Sequence, residues 1–537
     1  MRTTALHIYL VWIVLSLTLR IAASPALAHD SASQATDRPN IVFIFSDDHA
    51  VNSISAYGSR LNRCAPTPNI DRIAREGALF TNSFCANSIC GPSRACILTG
   101  KHSHKNGFMR NTGKGFDQSQ WTFVKDLKQS GYTTAVIGKW HLKTQPVAFD
   151  HWEIFPGQGS YYNPDFIQMN GQSKRESGYA TDLTTDKAIN WLKGIDRSKP
   201  FLLMCQHKAP HRTFCPPLRH LSAFDNVEIP EPDTLFDDYA NRSETLSKNE
   251  MSISDHFRWS YDAKVTKSQR GGVQLPGYED AATPEYNRMS PEQKSKWDAH
   301  YQPRNKIFID NVKSGKLNRR DIIRWQYRRY MRNYLGAVKA VDDSVGRLLK
   351  FLDENELADN TIVIYSSDQG FFLGEHGWYD KRWMFEESFK MPFIIRWPGV
   401  VKPGSKPSEL IQNIDYAPTF LDAAGLKIPN EVQGKSLLPV LKGESTSWRD
   451  SLYYAYYEIG EHAVPQHFGV RTLTHKLFYL PQTDEWQLFD LTNDPNEMKS
   501  VFDAPGYSAV QKELRMEYER LREAFDAPPY DQHLQSR

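Results

Sequence analysis

The chain has 537 residues, 40% of them hydrophobic and 24% charged, which is ordinary for a globular protein and long enough for one large domain with a smaller companion. Lys and Arg together number 65 against 63 Asp and Glu, a net charge of +2. Global charge therefore implies neither nucleic acid nor a membrane surface as partner, and any anion site has to be local.

The first residues read as a targeting segment. Arg2 supplies the positive start, residues 5–19 are mostly apolar, and Ala26-Leu27-Ala28 has the form of a cleavage site, so residues 1–28 are predicted to be a signal peptide. The apolar run is short for a membrane span. These features predict an exported chain, periplasmic or secreted, with no membrane attachment after cleavage; an uncleaved anchor is the alternative. The six cysteines, at 64, 85, 90, 96, 205 and 215, are too few for a disulfide scaffold, and no Cys-x-x-Cys zinc pattern is present. The pairing of Cys205 with Cys215 is left open by the sequence.

In chain order, residues 40–45 form an apolar run suited to a buried parallel strand, ending on Ser46, Asp47, Asp48 and His49. Two adjacent acids there are either solvated turn residues or ligands, since α/β proteins place ligands at such strand ends. A helix is expected over 67–80. Next comes Cys90-Gly91-Pro92-Ser93-Arg94-Ala95-Cys96-Ile97-Leu98-Thr99-Gly100-Lys101. Pro92 and Ser93 suit a helix start, whose N–H groups favour an anion. A helix at 121–129 and a strand at 132–138 lead into Lys139-Trp140-His141, where alternation puts Lys139 and His141 on one side. A helix at 179–192 and a strand at 201–206 lead into His207-Lys208-Ala209-Pro210-His211.

Residues 222–325 are polar and punctuated by Gly and Pro, which predicts an insertion with short helices that wraps the domain or rims a pocket. Trp259, Tyr261, Tyr278 and Trp297 argue for its partial packing. An amphipathic helix follows at 327–352. The strand at 361–365 repeats the logic of the first, ending on Ser366-Ser367-Asp368-Gln369-Gly370. A strand at 391–397 and a helix at 415–424 complete an alternating pattern, which predicts an α/β fold with a mostly parallel central sheet flanked by helices. From 450 onward, short strands at 452–457, 469–472, 476–480 and 486–490 and a helix at 507–525 predict a smaller C-terminal subdomain of antiparallel sheet plus helix. The expected division is a catalytic domain at 38–430, with its insertion at 222–325, and the subdomain at 450–537.

The Cys90–Lys101 string, Gly138-Lys139-Trp140-His141-Leu142, the Pro210-His211 pair and the two acidic strand ends together resemble the type I sulfatase family of the alkaline-phosphatase-like superfamily. The resemblance implies that Cys90 is oxidised to Cα-formylglycine by a maturation enzyme. The hydrated aldehyde then attacks sulfur and expels sulfate by collapsing back. It implies a calcium ion on Asp47, Asp48, Asp368, Gln369 and an oxygen of modified Cys90, a set of hard donors; the Gln stands where the family often has Asn. It further implies that Arg94 stabilises the hydrate, that Lys139 and Lys381 bind sulfate, that His141 moves a proton at the diol, and that His211 protonates the leaving alcohol. The stretch Gly374-Glu375-His376-Gly377-Trp378-Tyr379-Asp380-Lys381-Arg382 is similar to that of bacterial N-acetylglucosamine-6-sulfatases. The expected substrate is thus a sulfated glycan, 6-O-sulfated N-acetylglucosamine of a glycosaminoglycan or mucin glycan, with His462 and His467 as candidates to touch the sugar. Alternatives are another carbohydrate sulfatase (such as one for 2-O-sulfated uronic acid), a phosphonate or phosphate monoester hydrolase, and a non-catalytic glycan-binding relative.

Overall fold

The computed structural model describes residues 38–278, 284–444 and 447–530; the predicted signal peptide and its cleavage site at 1–28 lie outside them. Asn40–Asp47 sits mid-sheet because all eight of its residues are buried. A strand without a polar face needs neighbours on both edges and cover on both faces. It pairs in parallel with Thr361–Ser367 on one side and Phe201–Pro210 on the other. Thr133–Gly138 and His151–Ile154 continue the parallel set.

The margins of this nine-stranded sheet are antiparallel: Phe393–Arg396 and Ala78–Leu79 at one end, Asp165–Gln168 and Ser173–Arg175 at the other. The expected parallel sheet is thus its five-strand middle. Period-two alternation divides the cover. Phe43 and Phe45 face the helices Cys90–Thr99, Phe123–Gln129 and Tyr416–Ala423. Val42 and Ile44 face Pro68–Glu76, Ala180–Gly194 and the 36-residue helix Arg319–Glu354.

The 222–325 stretch departs from the expectation of short helices. It contains the 23-residue helix Pro291–Lys313, opened by a capping box between Ser290 and Gln293 and carrying Pro303 inside. Only a narrow stripe of it is buried, Trp297, Tyr301, Phe308 and Ile309 among them, so composition hid its periodicity. Trp259 is fully buried, as the packing argument required, whereas Tyr278 is exposed.

The C-terminal part is a four-stranded antiparallel sheet, Ser451–Tyr456, His467–Thr472, His475–Leu480 and Glu485–Asp490, with the helix Ser508–Ala524. Leu452, Tyr454 and Tyr456 enter the core of the large domain; Tyr453, Ala455 and Tyr457 meet Leu514, Tyr518 and Leu521 on the other side. All six cysteines are free thiols, Cys205 and Cys215 included. Among the described residues no helix is long and apolar enough to cross a membrane.

Candidate active site

The parallel middle of the sheet delivers the site at its C-terminal edge. Ser46 is in register with Ser367, so Asp47-Asp48 and Asp368-Gln369 emerge side by side. Asp47 also aligns with Pro210, which brings His211 in from the next strand, and Gly138 ends the strand after that, releasing Lys139 and His141. The helix Cys90–Thr99 abuts this edge and is buried over its whole length. Ligating and catalytic residue types from five chain segments therefore converge where open α/β sheets bind ligands.

Their contacts are mutual. Lys139 pairs with Asp47, both fully buried. Lys381 Nζ lies 2.8 Å from Asp48 Oδ2, and His211 Nε2 lies 3.6 Å from the same oxygen. Arg94 donates to Asp368 Oδ2 through Nε at 3.1 Å, to the Lys139 carbonyl at 2.6 Å and to Gln206 Oε1 at 3.1 Å. The Asp48 N–H donates to Asp368 Oδ1 at 3.1 Å. Ligand atoms of Asp47, Asp48, Cys90 and His211 all fall within 4.8 Å of one another. The structure thus adds His211 to this group and turns Asp368 toward Arg94.

Two observations test the donor set for a cation. Asp47 Oδ1 and Gln369 Oε1 are buried without a hydrogen-bond partner among the described residues, while Gln369 Nε2 is used on Asp48. An orphaned carboxylate oxygen and an orphaned amide oxygen in one acidic pocket fit a hard cation. The electrostatics agree. Burial, with Asp47 and Asp368 nearby, holds Asp48 up at about 7 despite Lys381. Burial and Asp47 push Asp368 to about 6. Burial also acts on Asp47, but Lys139, His211 and Arg94 outweigh it and hold its carboxyl well below the usual range. A bound cation would favour the ionised form of all three.

Burial pushes the Cys90 thiol well above its ordinary range, so it is not a thiolate nucleophile as it stands. Burial likewise keeps His141 and His211 neutral, with Lys139 adding to the effect on both. His211 Nδ1 is 2.5 Å from the Arg212 carbonyl, so Nδ1 carries the proton and Nε2 faces the site.

The helix N-terminus does not offer what the sequence suggested. The Gly91 N–H donates to Asn111 Oδ1 at 3.0 Å, Pro92 has no N–H, and the Ser93 N–H donates to the Ile89 carbonyl at 3.0 Å. The cations available to an anion here are side chains, Lys139 and Lys381.

Beside Lys381 lies a second polar cluster. Asp380 and Arg382 both adopt positive φ, 81° and 97°, a strained choice for non-glycine residues and a frequent mark of functional loops. Arg382 Nε donates to Asp380 Oδ1 at 3.1 Å, and its Nη2 lies 3.5 Å from Glu461 Oε1. His462 Nε2 is 3.4 Å from Asp380 Oδ2, and its Nδ1 is 2.9 Å from the Glu250 carbonyl. The insertion and the C-terminal loop therefore meet, with the Glu250 N–H donating back to the His462 carbonyl at 2.7 Å. The sequence placed Asp380 and Arg382 only within a similar stretch and gave them no role of their own, because their positive φ is invisible in composition. His467 does not join them. It is fully buried, its Nε2 accepts from the Met384 N–H at 3.1 Å and its Nδ1 donates to the Pro465 carbonyl at 2.9 Å. With both nitrogens spent on backbone it has nothing left for a sugar, which corrects that expectation.

A family model described as Sulfatase matches residues 39–426. This chain belongs to the sulfatase family. It is a sulfuric ester hydrolase by that membership. A second model, for the C-terminal part of N-sulphoglucosamine sulphohydrolase, matches residues 374–524. The sulfatase is 46% identical over 519 residues to an N-acetylglucosamine-6-O-sulfatase of Bacteroides thetaiotaomicron, spanning 95% of this chain and 91% of the relative. It is 26% identical to an arylsulfatase of Clostridium perfringens, over 88% of this chain and 91% of that one. A solved structure of a protein in complex with its substrate D-glucosamine-2-N,6-O-disulfate superposes with a TM-score of 0.86 at 46% identity, covering 92% of this sulfatase and 99% of that chain.

Proposed function

We propose that this sulfatase is exported and removes the 6-O-sulfate from an N-acetylglucosamine unit of a glycosaminoglycan or mucin glycan. The observation that carries the reading is 46% identity across 95% of the chain to an enzyme with that activity in its name. The similar solved structure holds a 6-O-sulfated glucosamine as its substrate, which points the same way. The hydrogen-bonding cluster of Asp380, Arg382 and His462, directly beside Lys381, supports it chemically, because sugar hydroxyls are discriminated by paired polar groups.

In this reading Asp47, Asp48, Asp368 and Gln369, together with residue 90, would hold a calcium ion, which when bound would supply positive charge to polarise the sulfate. Residue 90, converted from Cys by a formylglycine-generating enzyme, supplies a geminal-diol hydroxyl as nucleophile. Arg94, fixed by Asp368, Gln206 and the Lys139 carbonyl, orients that residue. Lys139 and Lys381 receive the sulfate oxygens and offset charge that grows in the transition state. A bound sulfate ester brings negative charge beside His211 and favours its protonated form, so Nε2 can protonate the leaving alcohol. Neutral His141 accepts the proton of the remaining hydroxyl of residue 90, so that its C=O re-forms as the C–O bond to sulfate breaks and sulfate leaves.

The test is a panel of sulfated monosaccharides and an aryl phosphate, assayed with mature enzyme. Highest kcat/KM on 6-O-sulfated N-acetylglucosamine is expected. Preference for a 2-O-sulfated uronic acid would overturn the sugar, and preference for the phosphate would overturn the reaction. Mass spectrometry of the peptide carrying residue 90 should show formylglycine; an unmodified thiol in fully active protein would remove that step.

A further inference from the structure

The Gly91 N–H lies one peptide from the reactive side chain, and it is spoken for by a residue outside the sulfatase motif. Asn111 Oδ1 accepts it at 3.0 Å. A Cβ on residue 91 would sit 2.7 Å from that oxygen and 2.6 Å from the Phe108 ring, so only glycine allows the approach. Asn111 is itself held from the other side. Its N–H donates to Glu458 Oε2 at 2.6 Å, and the neighbouring Thr112 hydroxyl donates to Glu458 Oε1 at 2.7 Å. Glu458 is fully buried and follows the first strand of the C-terminal sheet, Ser451–Tyr456.

We propose that Asn111 is a positioning residue for the nucleophile, and that Glu458 acts through it, so that the C-terminal sheet sets the orientation of residue 90. The amide oxygen fixes the plane of the peptide joining residues 90 and 91. That plane determines where the residue 90 side chain points relative to Lys139, Lys381 and the acid cluster. A loop with an exposed tip, residues 112–115, could not hold that plane unaided. The two carboxylate contacts of Glu458 remove its freedom at the point where it matters. Neither residue is placed to touch the sulfate in this scheme, so the effect belongs in kcat rather than KM.

The inference rests on sulfatase chemistry and not on the identity of the sugar. Turnover is therefore measured on whichever of an aryl sulfate and 6-O-sulfated N-acetylglucosamine the unmutated enzyme cleaves, so a wrong sugar assignment leaves the test standing. The variants are Asn111→Ala, Glu458→Ala and their combination. Formylglycine content is read by mass spectrometry and folding by melting temperature. Asn111→Ala should lower kcat roughly tenfold to a hundredfold, the scale of a small misplacement of reacting groups, with KM within about twofold and formylglycine content unchanged. Glu458→Ala should give a smaller loss of kcat, and the double variant should be no worse than Asn111→Ala alone. Unchanged kcat in folded Asn111→Ala overturns the proposal. A rise in KM at constant kcat overturns it by placing Asn111 in substrate binding. Multiplying losses in the double variant overturn the dependence of Glu458 on Asn111. If Glu458→Ala fails to fold, Glu458→Gln, which keeps one acceptor, replaces it in the cycle.

Discussion

His462 and His467 differ in what their ring nitrogens do, and kinetics should separate them. His462 keeps Nε2 toward Asp380, whereas His467 spends both nitrogens on backbone. His462→Ala is expected to lower kcat/KM on the sugar sulfate by roughly tenfold to a thousandfold, the cost of one to three polar contacts. An aryl sulfate, too small to reach the loop, should change by less than about threefold. His467→Ala should instead lower the melting temperature and depress both substrates together, because it strands the Met384 N–H and empties a space among Trp383, Tyr454 and Tyr456. Gln369 makes the complementary case at the proposed calcium site. Its buried Oε1 has no other partner among the described residues, so Gln369→Ala should weaken calcium binding by roughly tenfold to a hundredfold if that oxygen is worth a charged hydrogen bond. Metal titration with inactive but folded protein reads this without reference to turnover.

The loop after the strand Thr361–Ser367 is held from the insertion by Asp237. Its carboxylate pairs with Arg242 and lies 2.8 Å from His376 Nδ1. Burial would raise its pKa, but the hydrogen bonds from His376 and Arg242 prevail and hold it near 2. A depressed carboxylate stabilises the fold above its unfolded pKa, and that contribution is lost as pH falls through the folded value. Asp237→Asn should therefore lower the melting temperature at pH 7 by roughly 2–6 °C. The gap to the unmutated protein should close as pH falls from about 4 toward 2; a gap that does not change with pH would sink the assignment. Elements of this kind were only partly legible. The strands at 40–45 and 361–365 announce themselves because burial on both faces makes an unbroken apolar run. Ser173–Arg175 does not, since all three of its residues are exposed and only its neighbour defines it as a strand. The helix Pro291–Lys313 buries one stripe and contains Pro303, so neither its periodicity nor its residue preferences spoke for it. At the site, Asp47, Asp48, Asp368, Lys139 and His211 stand at strand ends, where ligands gather, but it was the resemblance to sulfatases that gave them their expected roles. Asp380, Arg382 and Asn111 were not legible, because their roles depend on backbone turns and on a partner far away in the chain.

At the scale of the whole molecule, the C-terminal sheet is a wall of the large domain's core and not a separate unit. Leu452, Tyr454, Tyr456, Phe478, Leu480 and Phe489 share one core with Phe43, Phe84, Trp383, Phe385 and Phe389. At about 1.5–3 kcal/mol for each large apolar side chain, those six are worth on the order of 10 kcal/mol, comparable to the whole net stability of a protein. Charge crosses the same boundary. Glu386 meets Arg471 Nη2 at 3.0 Å and Lys476 Nζ at 3.0 Å, and Lys476 meets Glu497 at 2.7 Å. Glu386 opens the short helix Glu386–Phe389, whose Ser388 carbonyl accepts the Gly370 N–H at 2.9 Å and the Ser88 hydroxyl at 2.8 Å. Gly370 follows the candidate ligand Gln369, and Ser88 lies two residues before Cys90, so one helix grips both halves of the site while the C-terminal sheet grips the helix. A fragment ending at residue 444 should accordingly fail to accumulate in soluble form, or accumulate without sulfatase activity, because it exposes an aromatic face and removes the cations that hold Glu386 and its helix in place. The milder Lys476→Met should retain the fold at reduced melting temperature and lose activity on aryl and sugar sulfates in equal proportion, since the strain reaches the site through Ser388 and not through the sugar wall. Soluble, fully active 38–444 protein would show that the large domain needs no such wall, and a loss confined to the sugar substrate in Lys476→Met would move the coupling from the nucleophile to the pocket rim.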